Sequence, residues 1–318
     1  MKYLELSDNL TKEILPVYII SGNDSFLIQK AISQFKKSCI LEYEELNYDQ
    51  YDDDNFNAQN IINSCNGLPF CNAKKLVVVR GISKLNKDDE KMFQSYLSNP
   101  NATTCLVLVS DEKLFQDVAN IEKVDCSTLG NESLQKMIAH QFKKQNKTIA
   151  LDAANLLITK CEGDAMKITN EITKLSFLDK SLITKDLVDE IVANSFNLDI
   201  FKLSNALAEK NSDAALNILT NLLNAKTEPT AILSAISNSF RRMFLSSIST
   251  NQTNEELAKI LGVKPFAITK AKENAKKFSV KTLKKINELL TQTDFMIKSG
   301  QMSAVNSVYF LIFNILIL

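Results

Sequence analysis

A chain of 318 residues that is 45% apolar and 23% charged has room for two or three domains and the composition of an ordinary soluble globular protein. Trp is absent, and Gly and Pro number only 7 and 5, which suits a mostly helical fold. The net charge of zero hides an imbalance: residues 1–209 carry 23 Lys+Arg against 30 Asp+Glu, residues 210–318 carry 14 against 7, and the basic C-terminal part implies a surface suited to nucleic acid.

Residues 15–22 (Leu-Pro-Val-Tyr-Ile-Ile-Ser-Gly) predict a buried strand ending in a Gly turn. Asp24 or Ser25 then caps a helix that runs to Phe35. Residues 42–48 predict a second strand, followed by an acidic loop over 49–54. Residues 55–64 read as helix, 76–80 as a third strand, 88–97 as helix, 103–109 as a fourth strand and 122–125 as a short fifth. Strands alternating with helices imply a parallel sheet with helices on its faces. From Asn131 onward no strand pattern survives. Helices are predicted at 131–145, 151–160, 164–177, 184–193, 199–209, 212–224, 229–248, 254–261, 265–277, 279–298 and 303–317, with Gly163, Thr184, Asp199 and Pro229 as breaks or caps. The expected division is an α/β domain over 1–140, a helical domain over 141–209 and a second helical domain over 210–318. The first boundary follows from the end of the strand pattern and the second from the charge reversal. The apolar run 308–318 is too short to span a bilayer and predicts a buried terminal helix.

The stretch Asn66-Gly67-Leu68-Pro69-Phe70 stands out between the second helix and the third strand. Gly67 and Pro69 mark a turn, yet the turn carries two large apolar side chains where a simple connection favours Ser, Asn or Asp. Pro69 biases Leu68 towards an extended backbone, so Leu68 and Phe70 are held apart. Either they fold back as a local plug over the sheet edge, or they form a two-pronged anchor for a pocket on another protein.

The strand, Gly turn and helix at 15–35 occupy the place where a nucleotide-binding α/β domain carries its phosphate loop. That loop requires GxxxxGK[ST], with Lys on the phosphates and a hydroxyl on magnesium. Counted from Gly22, the last three positions are Leu27, Ile28 and Gln29, with neither cation nor hydroxyl. An ATPase also needs acidic residues at a neighbouring strand end; Arg80-Gly81 ends the third strand, and Ser110-Asp111-Glu112 after the fourth reads as a solvated loop. The scaffold of a nucleotide domain is expected without its chemistry.

Residues 255–263 followed by 267–275 have the spacing of a helix-turn-helix, with Leu261-Gly262-Val263 at the turn. The second helix opens Pro265-Phe266-Ala267-Ile268, which lacks the Arg, Asn or Gln of a base reader, so a packed helical pair is expected. Lys270, Lys277, Lys281, Lys284 and Lys285 follow on a broad face, either simply solvated or facing phosphates without sequence preference. Only three arginines are present, Arg80, Arg241 and Arg242, which limits bidentate readout. The six cysteines have no CxxC spacing and the single histidine is His140, so no zinc site and reduced, intracellular thiols are expected.

Several segments, in order along nearly the whole chain, resemble the delta subunit family of the bacterial DNA polymerase III clamp loader. They are Leu15 to Asp24; Gly163-Asp164 with Asn170-Glu171-Ile172-Thr173-Lys174-Leu175; Ile200-Phe201-Lys202-Leu203; Phe240-Arg241; Leu261-Gly262-Val263-Lys264-Pro265; and Asp294 with Ile297-Lys298-Ser299-Gly300. The resemblance implies an AAA+-like fold with a degenerate nucleotide site (1–140), a helical lid (141–209) and a helical collar (210–318). It implies a cytoplasmic, non-catalytic subunit without cofactor, belonging to a heteropentameric polymerase holoenzyme component. Such a subunit binds and opens the beta sliding clamp, meets gamma/tau and delta-prime subunits through the collar, and works on primed DNA. The family's clamp contact precedes the third strand, which implicates Leu68, Pro69 and Phe70 as clamp-binding residues. Lys270, Lys277 and Lys281 become the candidates to face DNA. Two departures are visible: Cys65 and Asn66 stand where a fuller clamp motif begins with Gln or Glu, and Gly300-Gln301 where some members carry an aromatic residue. The competing readings are an ATPase, opposed by Leu27-Ile28-Gln29; a helix-turn-helix regulator, opposed by its missing base readers; and a delta-prime-like subunit, opposed by the absence of a Ser-Arg-Cys motif and of zinc-type cysteines.

Overall fold

The computed structural model describes residues 1–80, 82, 85–110, 115, 121–249, 252–263 and 265–318. The chain divides into two compact units, Met1–Val192 and Ala193–Leu318.

The first unit opens with a short helix α1 (Leu6–Leu10) and then alternates strand and helix. In order these are β1 (Val17–Ser21), α2 (Ser25–Cys39), α3 (Glu44–Asn47), β2 (Tyr48–Tyr51), α4 (Ala58–Asn66), β3 (Lys75–Val79), α5 (Lys87–Ser98), β4 (Thr104–Val109) and β5 (Ile121–Asp125). The strands form one parallel sheet in the order β2-β3-β4-β1-β5. Alternate residues of the buried strands enter different cores, as the two-residue period of a strand requires. Tyr18, Ile20, Leu76, Val78, Cys105 and Val107 join Leu27, Ala31 and Phe35 of α2 on one face. Val17, Ile19, Val77, Val79, Leu106 and Leu108 meet Ile61 and Cys65 of α4 and Phe93 and Leu97 of α5 on the other.

Asparagine and aspartate caps set the helix starts: Asn57 accepts from Asn60 N, and Asn86 from Asp88 N and Asp89 N. The strand expected over 42–48 is displaced. Residues 44–47 form the helical turn α3, and β2 runs through residues assigned to the acidic loop. Tyr48 pairs with Leu76 and Tyr51 with Val79, so backbone bonding at the sheet edge overrides the polar side chains.

The unit closes with α6 (Asn131–Lys143), β6 (Thr148–Ile149), α7 (Leu151–Lys160), α8 (Ala165–Ser176), β7 (Leu182–Ile183) and α9 (Lys185–Ile191). The parallel pair β6–β7 was not expected after Asn131; two-residue strands are too short to leave a periodic signal. Leu134, Ile138, Leu157, Ile168 and Ile172 share one core with the sheet.

The second unit is helical: α10 (Phe196–Ala208), α11 (Ser212–Asn224), α12 (Pro229–Ile248), α13 (Asn254–Leu261), α14 (Pro265–Ala275), α15 (Val280–Lys298) and α16 (Ala304–Ile317). It starts ahead of the charge reversal near 210, because Ile200, Leu203 and Leu207 of α10 pack with Leu219, Ile236 and Phe240. Ser195 caps α10, and Asp199 lies in its first turn. Thr253 and Glu256 form a capping box on α13, and Gly262 ends that helix at φ 63°, a backbone that favours glycine. Leu257, Ala258 and Ile268 make a small core of their own, the packed helical pair expected there. α16 buries Val308, Leu311, Ile312 and Ile315, while Phe313 and Ile317 stay exposed. No helix among the described residues is long and apolar enough to cross a membrane.

Candidate docking site around the Leu68-Phe70 loop

The loop after α4 is anchored from below. The Cys65 carbonyl accepts hydrogen bonds from Thr104 Oγ1 at 2.7 Å and Asn101 Nδ2 at 3.2 Å, which fixes the C-terminal end of α4 to β4. Asp49 of β2 accepts from Lys75 Nζ at 2.8 Å and from the Ser64 hydroxyl. Burial raises the Asp49 pKa, but the hydrogen bonds from Lys75 and Ser64 outweigh it and hold the carboxyl below its ordinary value. Gly67 N–H then donates to the Ser64 carbonyl at 3.1 Å and the chain turns out of the helix.

Above this base the prongs stand in solvent. Leu68 is 81% exposed and Phe70 50%. A plug over the sheet edge would bury them, so the plug reading is set aside. What is buried instead is Asn47, with no exposed surface. Its Oδ1 accepts from Phe70 N at 2.7 Å, and its Nδ2 donates to the carbonyls of Phe70 at 2.8 Å and Tyr43 at 2.9 Å. One amide thus holds both backbone polar groups of Phe70, as a neighbouring strand would. Asn72 adds a second tie: Oδ1 accepts from Leu41 N at 2.8 Å, and Nδ2 donates to the carbonyls of Glu42 at 2.6 Å and Phe70 at 3.0 Å. The Tyr43 ring packs edge-on against Phe70 at 5.2 Å. Neither asparagine was singled out in the sequence, where a lone Asn looks like any turn former. Tyr43 and Leu46 fall within the strand expected over 42–48, which hides them as ordinary strand residues.

The site of a phosphate loop has a different occupant. Gly22 adopts φ +135°, and a Cβ there would sit 2.2 Å from the Cys126 carbonyl carbon. Asp24 N donates to the Cys126 carbonyl, and Asn23 Oδ1 accepts from Thr128 N and Oγ1 at 3.0 and 3.1 Å. Asp24 Oδ1 accepts from Phe26 N and Leu27 N, both at 3.1 Å, so a carboxylate already fills the N-terminus of α2. Leu27 is buried, Ile28 is half-buried and Gln29 is exposed. Asp111 and Glu112 lie outside the described residues.

The three candidate lysines do not share one state. Lys270 pairs with Glu273 at 2.7 Å and Lys277 with Glu209 at 2.8 Å. Lys281 is exposed and has no ion-pair partner among the described residues. All six cysteines are free thiols; only Cys71 is exposed.

Two family models match this chain: the DNA polymerase III delta subunit model over residues 18–119, and its C-terminal domain model over 197–315. The chain belongs to the DNA polymerase III clamp-loader delta subunit family. DNA polymerase III subunit delta of Bacillus subtilis (strain 168) is 27% identical over 310 residues, 91% of this chain and 89% of the relative. A probable delta subunit of Aquifex aeolicus (strain VF5) is 21% identical, covering 92% and 87%. Among solved structures, the Bacillus subtilis DNA clamp loader delta protein superposes with a TM-score of 0.79 at 25% identity, over 99% of each chain. The delta family's AAA+-like arrangement, a parallel sheet flanked by helices and then an all-helical part, is the one found here.

Proposed function

We propose that this chain is the clamp-opening subunit of a bacterial clamp loader. It grips the beta sliding clamp with Leu68, Pro69 and Phe70 and neither binds nor hydrolyses ATP. The observation that carries the reading is a solvent-exposed apolar pair of which one member, Phe70, has both its backbone polar groups hydrogen-bonded before any partner arrives. Exposed apolar side chains on a rigid loop lose little entropy on docking, which is how a small anchor becomes a strong one. A ring is opened by a ligand only in proportion to its preference for the open form, so the grip must favour the opened clamp. The absence of ATP chemistry is supported by Asp24: a nucleotide phosphate at α2 would meet a carboxylate, with Leu27 where the motif needs glycine and Ile28 where it needs lysine.

In this reading the lid, expected over 141–209, ends with the first unit at Val192, and the helical unit Ala193–Leu318 forms the collar that meets the gamma/tau and delta-prime subunits. Primed DNA is met within that complex in the cytoplasm. The net +7 of residues 210–318 favours a phosphate contact as well. Lys281 is then the first lysine engaged, because Lys270 and Lys277 would have to leave carboxylates to join it. Titrating the purified chain against beta sliding clamp tests the central claim. Saturable binding that is lost when Leu68 and Phe70 are replaced is expected; no binding by the folded chain would overturn it.

A further inference from the structure

Residues 41–46 are all exposed, immediately before the buried Asn47. In this run Leu41, Tyr43 and Leu46 interleave with Glu42, Glu44 and Glu45. Leu41 is 81% exposed, Leu46 52% and Tyr43 48%. A solvated turn has no use for three large apolar side chains within six residues, and clustered exposed apolar groups mark a place where another surface sits.

These residues are mechanically continuous with the prongs. Asn47 and Asn72 tie the backbone of 41–43 to that of Phe70, and the Tyr43 ring lies 5.2 Å from the Phe70 ring. Two non-glycine residues hold left-handed backbone conformations at this junction, Tyr43 at φ 52° and Cys71 at φ 53°. That conformation is uncommon away from glycine and needs local support. At Tyr43 the Asn47 side chain, which donates to its carbonyl, supplies it.

The geometry points to a docking face wider than the two prongs. Leu41, Tyr43 and Leu46 lie against the sliding clamp beside the pocket that takes Leu68 and Phe70, and Glu42 and Glu45 meet basic side chains on its rim. This inference rests on the clamp-binding reading of Leu68 and Phe70. The occupant follows from continuity: Phe70 cannot enter a pocket without bringing Tyr43 against the same partner. The rim chemistry follows from charge, because Glu44 is paired with Lys36 at 2.5 Å whereas Glu42 and Glu45 have no ion-pair partner among the described residues. The prongs anchor the complex, and the second segment lengthens its lifetime.

The test uses the full-length chain and purified beta sliding clamp. Leu41→Ser with Leu46→Ser should weaken binding about tenfold, mainly through faster dissociation, at an unchanged melting temperature. Glu42→Gln with Glu45→Gln should slow association and flatten its salt dependence. A synthetic peptide of residues 66–72, which carries the prongs alone, should still displace both variants. If the Leu41/Leu46 variant binds like the unaltered chain while Leu68→Ala with Phe70→Ala loses affinity, the clamp reading stands and this inference falls. If neither pair matters, both fall. Leu41→Lys, at a side chain 81% exposed, keeps the test independent of folding, and unchanged affinity in that variant also overturns the inference. Concentration-dependent self-association of the unaltered chain that Leu41→Lys abolishes would assign the face to a second copy and overturn it too.

Discussion

Replacing both prongs, Leu68→Ala with Phe70→Ala, separates a docking loop from a structural one. Moving a whole Leu or Phe side chain out of water is worth about 1.5–3 kcal/mol. Leu68 has 81% of its surface left to bury, whereas Phe70 has 50%, because Tyr43 already covers part of its ring. Scaled this way, the pair contributes about 2–4 kcal/mol to a clamp complex, which is about 30- to 1000-fold in Kd. The folding cost should be much smaller. Leu68→Ala changes an exposed side chain and should cost no more than about 0.5 kcal/mol. Phe70→Ala loses one ring pair worth about 0.5–1.5 kcal/mol. Titrating a labelled clamp with wild type and variant gives the Kd ratio, and thermal melts of the same samples give stability. An unchanged Kd in a folded variant would refute the docking role. A large fall in melting temperature with unchanged affinity per folded molecule would make the loop structural after all.

Three further outcomes are expected. A fluorescent ATP analogue with magnesium should show no saturable binding, since Asp24 caps α2 and Leu27 is buried; a micromolar, magnesium-dependent site would refute this. A chain ending at Val192 should retain clamp binding but fail to join the loader, because α10–α16 supply the proposed collar; normal entry into the complex on size exclusion would refute the collar role. Asp49→Asn should destabilise the loop base in a pH-dependent way. The folded carboxyl lies below its ordinary value, so its ion pair stabilises fully above about pH 4 and is lost as the pH falls through the folded pKa. The difference in melting temperature between wild type and Asp49→Asn should therefore shrink below about pH 4, and a constant difference would refute that role for the ion pair.

Much of this protein was legible locally. The apolar runs at 17–20 and 76–79 are short and bounded by turns, which makes strands of them whatever their neighbours. Asp24 before a helical pattern is a cap on its own chemistry, and Leu27-Ile28-Gln29 leaves no lysine at the phosphate position of the motif. Gly67 and Pro69 mark a turn, and two large apolar residues within it are already an anomaly. The tertiary structure decided what local windows cannot carry. β2 exists because β3 offers it a backbone edge, although Tyr48-Asp49-Gln50-Tyr51 looks like a loop. β6 and β7 exist only as each other's partner. Plug and prong have the same sequence, and what speaks for the prong is the exposure of Leu68 and Phe70 beside a buried Asn47 that holds the Phe70 backbone. The second apolar segment at 41–46 joins the proposed docking face because two asparagine side chains tie it to the Phe70 loop, across 23 and 31 positions of chain. Periodicity and backbone preference are properties of neighbours in the chain; burial and hydrogen-bond partnership are properties of neighbours in space.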